Sequence, residues 1–566
     1  MRRSVIVWLC IIAIGVAAEA ADRPEGRMDA TRSVVYAKNA MVAAAHPVAV
    51  QIGVDILKRG GSAVDAAIAV NAALAFMEPT SCGLGGDLFA MVWDPANQKL
   101  AGLNASGRAP AGLTRDKVPA SADGTIPEFT PYTWTVPGCV DGWFELHGRY
   151  GRLPMAEVLA PAIAAASAGV PVPQVIAGSW ERAVPYYENL PGFSEVFLPG
   201  GVAPKEGEIF ANPALANTLR LIAENGRDVF YTGKVAQRLV AYSNEHGGFF
   251  SLDDFSSHTS DWVEPISTTY REVTVWELPP NGQGLAALQM LNILETFDLA
   301  SLGRGDAGFW HLMIEAKKLA YADRARFYAD PAFVDVPVAA LLGKNYGRRR
   351  ADLVNPERAA RTVSAGDPRL EHGDTTFLVA ADSDGMMVSL IQSNYSGFGS
   401  GYVVPELGFG IQDRGVLFNL QEDHPNALEP GKRPFHTIIP AFMGDGGTPN
   451  VAFGVMGGSM QPQGHVQIVV NLVDFGMNLQ EAGDAPRFRH LGSSQPTGTI
   501  MDRGGSVLLE SGVPAEIRRD LVLLGHRLSE VTGGAFGGYQ AIRRDPVTGV
   551  YAGASESRKD GMAAGY

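Results

Sequence analysis

Few residues in this 566-residue sequence stand in patterns that carry chemistry. The segment at 373–401, GDTTFLVAADSDGMMVSLIQSNYSGFGSG, places Thr375 at the start of an alternating apolar stretch, with a turn at 382–385 and a returning stretch behind it. Taken alone, a strand-initial threonine is a β-former. Gly457 and Gly458 in GVMGGSMQ read alone as a bend. The loop SCGLGGD at 81–87 lacks both the G-x-G-x-x-G pattern and the Lys-Ser/Thr that would meet a phosphate or Mg²⁺. There is no G-x-S-x-G elbow and no H-E-x-x-H, and His372, His424, His436 and His465 lack the spacing of a zinc site on one element. DSDG at 382–385 misses the remaining ligands of a calcium loop and reads as a hairpin turn. Neither a metal nor a cofactor is expected.

The elements that must position these residues follow from periodicity. Residues 46–78 read as two helices, VAVQIGVDIL and AVDAAIAVNAALAF, separated by Gly60 and Gly61, with Ser62 and Asp65 as a capping-box start. The glycine loop then runs into the strand-like LFAMVWD. The turn TVPGCVDGW precedes a helical run at 154–169, and 213–327 carries further amphipathic helical patterns, so the first half reads as mostly helix. After Asp374 the stretches TTFLVAAD, MMVSLIQS, HTIIPAFM and VAFGVMGG read as strands. Without repeats or low-complexity linkers, one unit of stacked sheets and helices is expected.

Composition narrows the classes. Hydrophobic residues make up 46% and charged residues 19%, which supports a large core and excludes long disordered tracts. Acidic residues outnumber basic ones by 60 to 46, and no basic run provides a nucleic-acid footprint. The first 20 residues, with two arginines, an apolar stretch from Val5 to Ala18 and Ala18 and Ala20 in A-x-A spacing, read as a secretory signal peptide. The expected destination is periplasmic or extracellular, with no membrane anchor after removal. Cys10 would leave with the signal, so Cys82 and Cys139 could form at most one disulfide or stay as buried thiols.

Five stretches in order resemble the γ-glutamyltransferase (glutathione hydrolase) family: residues 53–86, 135–151 (TVPGCVDGWFELHGRYG), 373–401, 432–440 (KRPFHTIIP) and 554–566 (ASESRKDGMAAGY). The resemblance implies an α+β fold, the four-layer αββα sandwich of N-terminal-nucleophile hydrolases. It also implies self-cleavage between Asp374 and Thr375, giving a large subunit (21–374) and a small subunit (375–566) that form a heterodimer within one compact domain. The freed α-amine of Thr375, with an ordinary pKa of about 7.7–8.0, would serve as the base that a threonine hydroxyl needs. In the family's register Ser393 takes the place of the second hydroxyl, which orients the nucleophile, and Gly457 and Gly458 form the oxyanion hole.

The specificity positions depart from the family. Where γ-glutamyl-specific members carry an Arg for the substrate α-carboxylate, this sequence has Ser106, with Arg108 nearby but displaced. Tyr395 replaces an Asn, and Leu417 replaces the Asp that receives the α-amine; a leucine cannot bind an ammonium ion. His436 and Thr437 replace the serine pair. Arg414 stands where Gln or Glu is usual and could complete a different anion site. The stretch from Phe418 to Lys432 is shorter than in members with a covering loop, which implies a more open pocket.

The family resemblance favours a γ-glutamyltransferase or glutathione hydrolase, passing the acyl group from glutathione or another γ-glutamyl amide to water or an amino acid. Leu417 and Ser106 favour instead an acylase of the cephalosporin or glutaryl type, whose acyl chain lacks the α-amine. A reading of a different class is a catalytically inactive secreted binding protein with the same fold.

Overall fold

The computed structural model describes residues 30–119, 124–363, 374–531 and 535–566. The segment expected to be a signal peptide and His372 lie outside the described residues, as does the stretch just before Asp374.

Two seven-stranded sheets, antiparallel throughout, stack face to face. The first runs Met562–Gly565, Met41–Ala44, Asp374–Ala381, Met387–Tyr395, Asp87–Asp94, Lys99–Ala105, Asp261–Val263. The second runs Val35–Ala37, Tyr551–Ser555, Gly538–Arg544, Val451–Met456, Ala441–Asp445, Val273–Glu277, Ile266–Tyr270. The period-two alternation of each strand sorts its side chains into separate layers. Phe377, Val379 and Ala381 meet Phe442, Ala452, Met456 and Ile542 between the sheets. Leu378 and Ala380 point the other way, into a core shared with the Pro47–Lys58 and Ala63–Met77 helices. On the far side, Met443, Phe453, Val455 and Ala541 pack against the Gly284–Leu294, Ala307–Phe327 and Gln461–Val473 helices. The result is the four-layer αββα sandwich.

The Ala63–Met77 helix begins as its sequence dictates. Ser62 Oγ accepts from Asp65 N at 3.1 Å while Asp65 Oδ2 accepts from Ser62 N at 2.9 Å. Every residue of this helix is buried, so its alanines serve close packing on all sides. The 382–385 turn is a hairpin: Asp382 Oδ1 accepts from Asp384 N and Met386 N at 3.0 and 3.1 Å, and its Oδ2 accepts from Ala63 N at 3.1 Å. Cys82 and Cys139 are buried free thiols.

Helices dominate the first half, as expected, but they do not make up all of its regular structure. Besides Asp87–Asp94 it supplies Lys99–Ala105, Asp261–Val263, Ile266–Tyr270 and Val273–Glu277. The last three have only three to five residues and are mostly half-buried, which weakens alternation as a signal. The Gln461–Val473 helix conversely interrupts the strands of the second half.

Candidate active site

Thr375 opens a strand of the first sheet at an irregularity. Asp374 pairs with Tyr395 but Thr376 pairs with Gln392, so the partner strand carries an extra residue opposite Thr375. The pleat then separates the two threonines. Thr376 Oγ1 donates to the buried Glu78 Oε2 at 2.7 Å. Thr375 Oγ1 lies 3.5 Å from Ser393 Oγ and accepts from Gln461 Nε2 at 3.4 Å. Ser393 Oγ in turn accepts from Tyr395 N at 2.8 Å. The geometry thus brings Thr375 polar neighbours from each sheet's side of the interface.

Glycine permits this arrangement at two places. A Cβ on Gly86 would come within 2.4 Å of Ser393 O, so only glycine lets the 81–87 loop lie against the strand that carries Ser393. Gln392 fastens that loop, accepting from Gly83 N at 3.0 Å and donating to Gly83 O at 2.8 Å. Gly457 and Gly458 both have positive φ, +119° and +57°. Their turn leads into the Gln461–Val473 helix, whose N-terminus carries a partial positive charge that favours an oxyanion. Gln283 holds the turn, donating from Nε2 to Gly458 O at 2.9 Å and to Thr437 O at 2.6 Å. Gln461 Oε1 accepts from Ile439 N at 2.9 Å, which fixes its amide toward Thr375.

Around this centre the acyl-recognition candidates form a buried polar cluster. Arg414 is fully buried; its Nη1 donates to Thr437 Oγ1 at 2.7 Å and its guanidinium lies 4.7 Å from the centre of the Tyr395 ring. Among the described residues its Nε and Nη2 have no hydrogen-bond partner. Burial lowers its pKa to about 10, so it stays charged at neutral pH. Tyr395 has φ +81°, a conformation rare for an aromatic residue. His436 Nδ1 accepts from Ile438 N at 3.4 Å, which leaves the proton on Nε2, 3.0 Å from Asp87 Oδ2. Burial and then the charge of Arg414 push His436 down to about 3, so the imidazole is neutral. Burial alone would raise the Asp87 carboxyl. The His436 hydrogen bond, Arg414 and a hydrogen bond from Gln412 Nε2 at 2.8 Å hold it below its ordinary value. Asp413, also fully buried, is raised to about 7 by burial, against a hydrogen bond from Ser396 N at 3.0 Å.

Other expected site residues lie elsewhere. Arg108 Nη1 donates to Thr259 O at 3.2 Å, and its Nη2 lies 3.6 Å from Asp261; both contacts belong to the 259–261 segment and not to the cluster around Thr375. Ser106 Oγ is engaged by Asn104 Oδ1 at 2.6 Å. Leu417 is buried in the apolar core of the second sheet's helical side. Phe418 and Leu428 fold down onto Ala109, Leu113, Val118 and Ile126, and Thr375 is only 1% exposed in the uncut chain. Asp87, Gln283, Asp413, Gln461 and Glu78 escaped sequence reasoning. Gln461 alone left a trace there, three residues beyond the glycine pair.

A threonine at a strand start between two stacked antiparallel sheets, with helices outside both, defines an N-terminal-nucleophile hydrolase. The Gamma-glutamyltranspeptidase family profile matches residues 49–566, and the chain belongs to that family. The Glutathione hydrolase-like YwrD proenzyme of Bacillus subtilis (strain 168) is 38% identical, over 81% of this chain and 86% of its own. The Oxamate amidohydrolase proenzyme of Klebsiella pneumoniae is 36% identical, over 93% of this chain and 98% of its own. The crystal structure of cephalosporin acylase from Bacillus halodurans superposes with a TM-score of 0.87 at 43% identity, covering 97% of this chain and 98% of that one.

Proposed function

We propose that this protein is a self-processing amide hydrolase whose nucleophile is Thr375 and whose acyl donors carry a carboxylate but no α-amine. In processing, Thr375 Oγ attacks the Asp374 carbonyl carbon and the peptide C–N bond breaks. The Thr375 nitrogen leaves as a free amine, and water hydrolyses the ester to give back the hydroxyl and an Asp374 carboxylate. In turnover the new amine takes the hydroxyl proton, Thr375 Oγ attacks the substrate amide, and the N–H groups at Gly457 and Gly458 stabilise the oxyanion. Water or an acceptor amine then releases the acyl group.

The observation that carries the substrate class is Arg414: a buried guanidinium with two unpartnered nitrogens suits a carboxylate. Leu417, where γ-glutamyl recognition requires an acid, supports the absence of an ammonium site. The likeness to a cephalosporin acylase and to an oxamate amidohydrolase agrees with that reading. The second reading, γ-glutamyl hydrolysis or transfer, is favoured by Asp413, a carboxyl next to Arg414 that could receive an ammonium ion once ionised, and by the glutathione hydrolase-like relative.

A denaturing gel tests the chemistry: wild type gives two fragments, the smaller beginning at Thr375, and Thr375→Ala gives one inactive chain. An uncut, inactive wild type would leave only the non-catalytic binding role. Paired anilides test the substrate: hydrolysis of the glutaryl and not the γ-glutamyl compound is expected, and the reverse result would install the second reading. Export is part of the proposal, and a mature chain starting at residue 21 checks it by amino-terminal sequencing.

A further inference from the structure

One polar cluster lies outside the chemistry described so far. On the Ala307–Phe327 helix, His311 and Glu315 are one turn apart and share a face. Against them lies His526, in the loop after the Ala515–Leu523 helix. One ligand atom from each of the three falls within 4.8 Å of the others, and all three residues are buried.

The hydrogen bonds around the cluster fix where the lone pairs point. His311 Nε2 lies 2.8 Å from Asn355 O, a pure acceptor, so Nε2 carries the proton and Nδ1 presents a lone pair. His526 Nε2 sits 2.8 Å from that Nδ1. A ring N–H given to a backbone carbonyl is the outer support that metal-bound histidines use. We propose that His311 Nδ1, His526 Nε2 and a Glu315 carboxylate oxygen form a site for a divalent first-row transition metal, with Zn²⁺ as its probe.

The distances suit such an ion. Two nitrogens bound at about 2.0–2.1 Å are about 2.9 Å apart at a right angle and about 3.4 Å apart in a tetrahedron. The N···N separation therefore already fits neighbours in a five- or six-coordinate shell, and the rings need only turn to aim both lone pairs at the ion. It needs to open by roughly half an ångström for a tetrahedral one. Two imidazoles and one carboxylate are a donor set for zinc, iron, cobalt or nickel, and not for the oxygen-seeking Ca²⁺. On binding, the proton between the two rings must leave His526 Nε2 for Nδ1 of the same ring.

Glu315 is already engaged. Its Oε1 accepts from Lys318 Nζ at 2.7 Å and its Oε2 from Ala360 N at 3.2 Å. Each carboxylate oxygen has a second lone pair, so one metal bond can coexist with both donors. Lys318 keeps its other partner, Ala360 O, at 3.0 Å. Its positive charge beside the site moderates the affinity.

The ligands come from both sides of the bond between Asp374 and Thr375. His311 and Glu315 precede it and His526 follows it, so after cleavage the ion would tie the two fragments together. That consequence rests on the processing proposed above; the site itself does not, because its geometry is that of the uncut chain.

Chelator-stripped processed protein titrated with Zn²⁺ in a calorimeter tests the site. One equivalent is expected, with binding weakened at least ~10-fold in His311→Ala, His526→Ala and Glu315→Gln, and undiminished in uncut Thr375→Ala. In guanidinium, Zn²⁺ is expected to raise the midpoint of fragment separation for wild type and not for the histidine variants. Where a variant fails to fold, anomalous diffraction from Zn²⁺-soaked wild-type crystals decides, with a peak expected between His311 and His526. No stoichiometric uptake by wild type, a peak elsewhere, or equal uptake by folded variants would overturn the proposal.

Discussion

At the scale of single residues, Thr375 is distinguished from Thr376 by the pleat: one hydroxyl reaches Ser393 and Gln461, the other is committed to Glu78. Gln461→Leu removes the donor to Thr375 Oγ1 and should slow both processing and kcat by roughly 10-fold, about the value of one hydrogen bond, with KM unchanged. Steady-state kinetics and the rate of fragment appearance on a gel measure it. Arg414 makes the complementary prediction. Arg414→Leu should lower kcat/KM for a carboxyl-bearing anilide by about 10–100-fold, the worth of a charge-assisted contact. A neutral acyl anilide should be hydrolysed nearly as before. Equal losses on both substrates would make Arg414 a partner of Asp87 only. Thr375, Ser393 and the glycine pair stood out as candidates in the sequence because family motifs carry them in register. Gln461 and Asp87 were not, because each meets its partner only across the fold; Asp87 and His436 are 349 positions apart.

At the scale of elements, the hairpin joining Asp374–Ala381 to Met387–Tyr395 sets which residue of one strand faces Ser393 on the other. Asp382 secures its turn by accepting three backbone N–H groups, one of them from the start of the Ala63–Met77 helix. Asp382→Ala leaves those donors without their acceptor and should cost about 3 kcal/mol, as loss of hydrogen bonds to a charged group does. Chemical denaturation of the uncut Thr375→Ala background measures that cost without interference from processing. The helix pair and this hairpin were readable because strong alternation, glycine separators and a capping box all lie within short windows. The short strands at 261–277 were not, since half-buried strands show little alternation and are recognised by what they pair with.

At the scale of the whole molecule, burial has made most of the histidines acid-sensitive. His46, His258, His311, His424, His436, His465, His490 and His526 all have pKa values lowered mainly by burial, among 11 histidines in the sequence. A depressed folded pKa contributes stability that is fully present above the unfolded value of about 6.5 and is lost as pH falls toward the folded value. Glu277, Asp323, Asp382 and Asp413 are raised, chiefly by burial, and act in the opposite direction as pH falls. They are fewer. Thermal unfolding should therefore show stability declining from pH 6.5 toward pH 4, by about 1.4 kcal/mol per pH unit for each histidine not offset. A Tm that is flat or rises over that range would contradict this balance. By itself the sequence determined the family and the sandwich and singled out Thr375 and the departures at Ser106, Tyr395 and Leu417 as candidates, because motifs and alternation are local in the chain. Only the tertiary structure decided that Arg414 is buried with nitrogens to spare among the described residues, that Arg108 is occupied at Thr259 and Asp261, and that Phe418 and Leu428 pack onto Ala109, Leu113, Val118 and Ile126. Those outcomes depend on which distant side chains compete for the same partners and the same volume, and folding alone brings them together.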